Sequence, residues 1–196
     1  MTKHLSDLKA KTQSKYLVAL IFLAAASLLI AGIVISYQVG ISLLQAQQKM
    51  VEQLSIINRI SDVMSNIKDV ETGQRGYLLT REEPYLEPYK VAIGKLKIEL
   101  SLLQELAAKG RVSQNQVDRI TGLIQQKLDE TNLTIDLNRK KGLSSALKIV
   151  KNDRGMVLMD QIRAELGSMR KDEESKFIEA GQNAQWASTV RTMTFI

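Results

Sequence analysis

The feature that most constrains this chain is an uncharged apolar run, Tyr16–Tyr37, followed by long segments with helical periodicity. At a rise of about 1.5 Å per residue, this run is long enough to span the ~30 Å hydrocarbon core of a bilayer. Signal sequences have shorter apolar regions and a small-residue cleavage site, which Ser36-Tyr37-Gln38 does not provide. The run therefore predicts an uncleaved transmembrane helix over residues 16–39.

The charges beside the run predict its direction in the membrane. The tail before it carries four lysines and one aspartate, whereas the first charge on the far side is Lys49. Positive residues beside a membrane segment stay in the cytoplasm. We therefore expect residues 1–15 to be a cytoplasmic tail and the domain to lie outside. The rest of the net charge of +6 is spread along helices among acidic residues, so nucleic acid is not an expected partner.

Periodicity after the run predicts four helices. Apolar residues recur at spacings of three and four, and residue types that favour helix dominate the composition. The first helix is expected to end near Thr80 and the last to follow a turn at Asn152–Gly155. Between them we expect a helix from Glu83 that bends or restarts at Pro88 and stops at Gly110, a helix with a Ser113–Gln116 capping box that ends at Gly142, and a short helix from Ser144 to Val150.

Helix lengths predict how these elements pack. The first and last helices would be ~60 and ~54 Å long, whereas the middle pair would span only ~40 Å. We predict an all-α fold in which an N-terminal transmembrane helix continues into an antiparallel up-down four-helix bundle with a two-helix membrane-proximal stalk. The bundle domain covers residues 40–187. Apolar residues near the end predict that residues 188–196 start a second, truncated transmembrane helix.

Charged residues interrupt the apolar stripe of the first helix. Glu71 and Arg75 continue the stripe in steps of four and need partners if they are desolvated. In an antiparallel register, Asp160 would lie level with Arg75, and Arg163 with Glu71. We expect these four residues to form a buried or half-buried polar layer. Such a layer is either a ligand site or a means of fixing helix register.

Glycines and tyrosines cluster around the end of the first helix. Gly73 and Gly76 each cost about 1 kcal/mol relative to alanine inside a helix, so they need a structural reason. That reason is either close helix approach or access for a ligand. Tyr77, Tyr85 and Tyr89 are expected to form either a distal aromatic core or a distal pocket.

Residues that carry chemistry are sparse in this chain. It has no cysteine, and its single histidine, His4, lies in the tail. No nucleophile–base triad and no glycine-rich phosphate loop is present. We therefore expect no catalytic residues, no metal and no cofactor.

The segment Asp69–Tyr89, which reads DVETGQRGYLLTREEPYLEPY, resembles the signature of the third class of CHASE sensor domains. These domains are extracytoplasmic input modules of bacterial receptors. The later stretch Gly155–Arg163 is also similar to this family, and the resemblance covers roughly residues 40–187. Arg81 departs from it, because the family is expected to have glycine or a small polar residue in that loop. The signature positions carried over are Asp69, Glu71, Thr72, Gly73, Arg75, Gly76 and Tyr77.

The resemblance implies a homodimeric receptor in the bacterial inner membrane with a periplasmic four-helix bundle between two membrane helices. Its output would most often be a histidine kinase of a two-component system, and its signal either a small molecule or a protein. The alternatives are the input domain of a diguanylate cyclase or chemoreceptor, or a stand-alone membrane-anchored helical scaffold. An enzyme is disfavoured, since no cluster of polar residues beyond the predicted layer converges.

Overall fold

A computed structural model describes the backbone of residues 2–194 and the side chains of residues 13–190. The predicted tail and second membrane helix therefore lie largely outside the described side chains. All regular elements in the described residues are helical, which confirms the all-α prediction. They are α1 (Thr2–Thr80), a 3₁₀ helix (Glu83–Tyr85), α2 (Leu86–Ala108), α3 (Gln114–Lys141), α4 (Leu143–Val150) and α5 (Arg154–Thr194).

The chain divides into two compact units, and the first contains the apolar run. It consists of Met1–Lys49 and Glu179–Ile196. One helix of the described residues is long and apolar enough to cross a membrane, and no residue of its most apolar stretch is buried. Apolar side chains exposed over this length are suited to lipid, where a helix satisfies its own backbone hydrogen bonds. Ala46 and Ala187 are buried within this unit.

The second unit, Met50–Ile178, is the helical bundle. Helices α1 and α2 are antiparallel, because Arg59 pairs with Glu99 and the backbone of Gly73 lies against Tyr89. The helices α3 and α5 are antiparallel in the same way. Their pairs are Gln116 with Asp172 and Arg119 with Glu165. The predicted up-down order is therefore confirmed, and α4 lies between α3 and α5 in the chain.

One apolar core joins the four long helices of the bundle. Its members include Ile60, Leu96, Ile120 and Ile162, each no more than 2% exposed. Burial of such side chains supplies roughly 1.5–3 kcal/mol each before entropy costs. Two apolar residues at helical spacing from the core stripes are nevertheless exposed: Leu54 at 49% and Met156 at 59%.

The helix ends follow the predicted stop signals, with two corrections. The restart precedes Pro88, because the 3₁₀ helix ends at Tyr85 and α2 begins at Leu86. Each proline then lies in a first helical turn, where its missing N–H costs nothing. The prediction of a capping box at Ser113 and Gln116 is also wrong. Ser113 is the N-cap of α3 without a side-chain bond, and Gln116 donates to Asp172 of α5 instead.

Arg81 terminates α1 in the left-handed region, with φ of 61°. Its N–H donates to the Tyr77 carbonyl at 2.8 Å, and its guanidinium donates to the Arg139 carbonyl at 3.2 Å. Glycine adopts this backbone conformation at the end of a helix without steric cost. The geometry thus explains why glycine or a small polar residue is expected at this loop position.

Gly73 provides a test of close helix packing. A Cβ there would lie 2.9 Å from both the Tyr85 carbonyl oxygen and Tyr89 Cβ, whereas one at Gly94 of α2 would meet nothing. Overpacking costs about 1–3 kcal/mol, and replacing an exposed helical glycine with alanine gains up to ~1 kcal/mol. We expect Gly73→Ala to lower the free energy of unfolding and Gly94→Ala to raise it, as measured by urea denaturation. Equal gains from both variants would contradict close packing at Gly73.

A charged cavity lined by α1, α3 and α5

Four of the seven positions in the inward-facing seam of α3 are polar. Positions spaced alternately by three and four residues face inward along this helix, and all seven are buried. The seam begins with Val117, Ile120 and Ile124 and continues with Lys127, Thr131, Thr134 and Asn138. We call the last four residues the polar seam.

Hydrogen bonds attach the polar seam to α1. Gln74 Nε2 donates to Thr134 Oγ1 at 2.5 Å. Asn138 Nδ2 donates to the Leu78 carbonyl at 3.2 Å and also lies 3.4 Å from the Tyr77 carbonyl. The last carbonyls of a helix lack partners within that helix. The polar seam therefore satisfies carbonyls at the end of α1, although the buried Asn138 Oδ1 has no partner among the described residues.

A buried ion pair lies at the N-terminal end of the polar seam. Lys127 Nζ lies 2.9 Å from Glu130 Oε2, and the two side chains are only 3% and 5% exposed. Both charges have lost most of their contact with water, which costs several kcal/mol per ion before their attraction is counted. Gly155 of α5 lies over this pair, because a Cβ there would be 3.0 Å from Lys127 Nζ.

The pair opens onto a cavity of about 260 Å³. Gln74 of α1, Gly155, Met156 and Met159 of α5, and Val150 of α4 form part of its wall. We call this the charged cavity, because six ionisable side chains also line it. They are Glu71, Arg75, Lys127, Glu130, Asp153 and Arg163.

Of the predicted polar layer only Glu71 is half-buried, at 17% exposure of its side chain, and none of the four residues pairs between helices. Arg75 pairs with Glu71 at 2.8 Å within α1, and Arg163 pairs with Asp160 within α5. The side chains of Arg75, Asp160 and Arg163 are 71%, 62% and 52% exposed. In these two pairs the arginine side chains remain solvated, which avoids most of the desolvation cost of a buried layer. The structure nevertheless brings Glu71, Arg75 and Arg163 to one cavity, while Asp160 lies outside its lining.

Two other signature residues lie away from the charged cavity. Asp69 is exposed and lines a separate cleft of about 380 Å³ between α1 and α2, together with Asp62 and Glu99. Thr72 is exposed. Gly76 has a packing role, since an added Cβ would collide with the ring of Tyr85.

The three tyrosines pack around the end of α1 and line neither the charged cavity nor the cleft beside Asp69. Tyr77 and Tyr89 belong to the core at 3% and 6% exposure, whereas Tyr85 is 45% exposed. The Arg139 guanidinium lies 5.5 Å from the centre of the Tyr77 ring. The Tyr89 hydroxyl donates to Asn132 Oδ1 at 2.6 Å. Burial, with a smaller contribution from the Asp136 carboxylate, raises the pKa of Tyr89 to about 12.

Sequence reasoning missed Lys127, Glu130 and Asp153. The apolar residues of α3 continue from Ile124 through Leu128 and Ile135, which are also buried and draw attention away from the neighbouring polar positions. The strict alternation of three and four residues from Val117 passes instead through the polar seam. That alternation was the available signal, but it places lysine and asparagine at positions where apolar residues are the usual choice.

Comparison with known proteins agrees with this architecture. The model of the CHASE3 domain family matches residues 46–183. The chain is also similar to the crystal structure of the Rhodopseudomonas palustris histidine kinase HK9 sensor domain, with a TM-score of 0.57 and 23% identity. That similarity covers 64% of this chain and 98% of the other, and at this identity it shows the fold alone. A search of curated proteins found no match.

Variants of the buried ion pair test its energetic role. Removing one partner of such a pair leaves an uncompensated charge and costs about 3–5 kcal/mol, whereas replacing both with apolar residues of similar volume is often neutral. We expect Lys127→Met and Glu130→Leu each to lower the free energy of unfolding by about this amount, and the double variant to recover most of it. Urea denaturation of all four proteins measures the coupling. Additive losses would show that the charges are not interdependent.

Proposed function

The chain belongs to the CHASE3 domain family, and on that premise we propose that it is the extracytoplasmic signal-input module of a bacterial membrane receptor. The chain acts as a sensor and not as an enzyme. The unbroken apolar segment of α1 supports membrane attachment. The lysines before it favour a cytoplasmic N-terminus and a bundle on the opposite side of the membrane.

We propose that the output is a histidine kinase in a two-component system. The structural relative from Rhodopseudomonas palustris is a sensor domain of a histidine kinase, which favours this output over a diguanylate cyclase or chemoreceptor. The kinase activity would reside in another part of the receptor.

One observation carries the mechanism: two of the helices that wall the charged cavity, α1 and α5, also continue into the unit that contains the apolar run. Helix α1 runs without interruption from Thr2 to Thr80, and α5 from Arg154 to Thr194. An occupant of the cavity that favours one arrangement of these helices would shift the equilibrium between two states. Because a helix transmits a displacement along its axis, a small shift or rotation at the cavity would become one at the membrane.

We also propose that the module works as a homodimer. Several large apolar residues remain exposed on α1 and α5 of the bundle. They are Val51, Leu54, Val157 and Ile178, at 71%, 49%, 49% and 57% exposure. Side chains of this kind are candidates for an interface between two copies. A second chain would contribute the same two helices to the dimer interface, so the displacement of α1 and α5 could occur at that interface.

The membrane orientation is tested by single cysteines, for which the cysteine-free chain is a clean background. Lys109 is exposed in the bundle, so Lys109→Cys should react with a membrane-impermeant maleimide in intact spheroplasts. Lys9→Cys in the tail should react only after the membrane is permeabilised, because its side would be cytoplasmic. The reverse labelling pattern would overturn the orientation.

Signal transmission is tested with a hybrid receptor in which residues 1–187 are joined to the second membrane helix and kinase of a receptor with a transcriptional reporter. Each alanine inserted after Gln185 rotates the following segment by about 100°. We expect one or two insertions to alter kinase output and four to return it towards the original level. The matched control is the same series after Gly110, in the loop between α2 and α3, which should leave output unchanged. Output that ignores every insertion in α5 would favour a passive scaffold.

A further inference from the structure

The charged cavity is balanced in formal charge, and that balance restricts what it can bind. Its three basic and three acidic side chains cancel, although only two pairs within the lining are bonded to each other: Arg75 with Glu71, and Lys127 with Glu130. A ligand with a single net charge would leave one charge uncompensated in a partly dry space, which is costly. A ligand that carries both signs avoids this cost.

Lys127 has bonding capacity to spare. An ammonium group has three N–H donors. Lys127 is 2% exposed, and within the described part of the chain Glu130 is the one side-chain acceptor that it engages, at 2.9 Å. A buried ammonium with unused donors is suited to a carboxylate, since charge-assisted hydrogen bonds are the strong ones.

The first turn of α5 adds donors beside Lys127. Arg154 and Val157 donate their backbone N–H groups to nearby oxygens. The N–H groups of Gly155 and Met156 have no acceptor among the described residues. Such groups at a helix N-terminus attract anions. Gly155 packs directly on the ion pair, because an added Cβ would lie 3.0 Å from Lys127 Nζ, so this turn and the ammonium group line the same part of the cavity wall.

Acidic side chains on the cavity wall supply the opposite sign. The carboxylate of Asp153 engages no hydrogen bond or ion pair from another side chain of the described region, and Glu71 is bonded only to the solvated Arg75. A carboxylate that enters beside Lys127 can therefore be accompanied by an ammonium group facing Asp153 and Glu71.

We propose that the charged cavity binds a small zwitterion, namely a free α-amino acid or a compound with the same pair of groups. Its carboxylate would accept from Lys127 Nζ and the N–H of Gly155, and its ammonium would donate to Asp153 and Glu71. At ~30 Å³ per water molecule, the cavity of about 260 Å³ has room for about nine non-hydrogen atoms. A small α-amino acid is of this size. This inference rests on the proposed sensory role and names the class of signal.

Thermal unfolding of the full chain in detergent tests the proposal, with each standard α-amino acid added in turn at millimolar concentration. A ligand that binds only the folded state raises the melting temperature. We expect at least one amino acid to do so, and expect its N-acetyl and carboxamide forms, which each lack one charge, to have no effect. The absence of a shift with every amino acid would overturn the proposal, as would equal shifts with the blocked forms.

Variants locate the site by titration calorimetry with the responding amino acid. Gly155→Ala should weaken binding at least ~10-fold by displacing Lys127 Nζ, which would lie 3.0 Å from the added Cβ. Asp153→Asn should do the same by removing the ammonium partner. The matched controls are Gly94→Ala and Asp118→Asn, which lie outside the charged cavity and should bind like the parent chain. Unchanged affinity in both cavity variants would place the ligand elsewhere and overturn the assignment. Since Asp153 is exposed, its variant tests the site even if Gly155→Ala unfolds.

The hybrid receptor separates this inference from the proposed function. If insertions in α5 alter output but no amino acid binds, the sensory role stands and the zwitterion site falls. If an amino acid binds but output ignores the insertions, the site stands and transmission through α5 falls.

Discussion

The polar seam of α3 is the constraint on which the packing of this bundle depends. Lys127, Thr131, Thr134 and Asn138 are buried where a helical bundle normally places apolar residues. Each buried polar group needs a partner, because an unsatisfied one costs roughly 1–3 kcal/mol. Gln74 and the Leu78 carbonyl of α1 supply partners for Thr134 and Asn138, whereas Lys127 and Thr131 bond to Glu130 and to the Lys127 carbonyl within α3. Sliding α1 along α3 would break the bonds of Thr134 and Asn138 to α1 together, so the seam fixes the relative height of the two helices.

Glycines determine how closely the other helices approach this framework. Because Gly73 and Gly76 have no side chain, Tyr85 and Tyr89 pack directly on α1. In the same way, Gly155 lets α5 pack directly on the buried ion pair. The same region contains an ion pair that burial makes costly and a cavity that apolar packing has not filled. Elements with low local stability are those that switch most readily between arrangements. A sensor is therefore better served by a charged cavity here than by a continuous apolar core.

Much of the architecture could be predicted from the sequence because its signals are local. The apolar run, the glycine stops and the spacing of apolar residues give helix type, order and direction without knowledge of partners. The signature from Asp69 to Tyr89 identified the family, and Arg81 marked the strained end of α1. The candidate site was predicted less well. Glu71, Arg75 and Arg163 do line one cavity, but they pair along their own helices or remain solvated.

The sequence by itself determined an all-helical chain with one apolar segment long enough for a membrane and an up-down bundle beyond it. These properties follow from residue periodicity and length, which act within a single helix. Only the tertiary structure decided which charges are buried. That choice depends on which side chains meet across helices and how much water they lose. Lys127 is buried because Gly155 and Glu130 surround it, while Arg75 remains exposed one helix away.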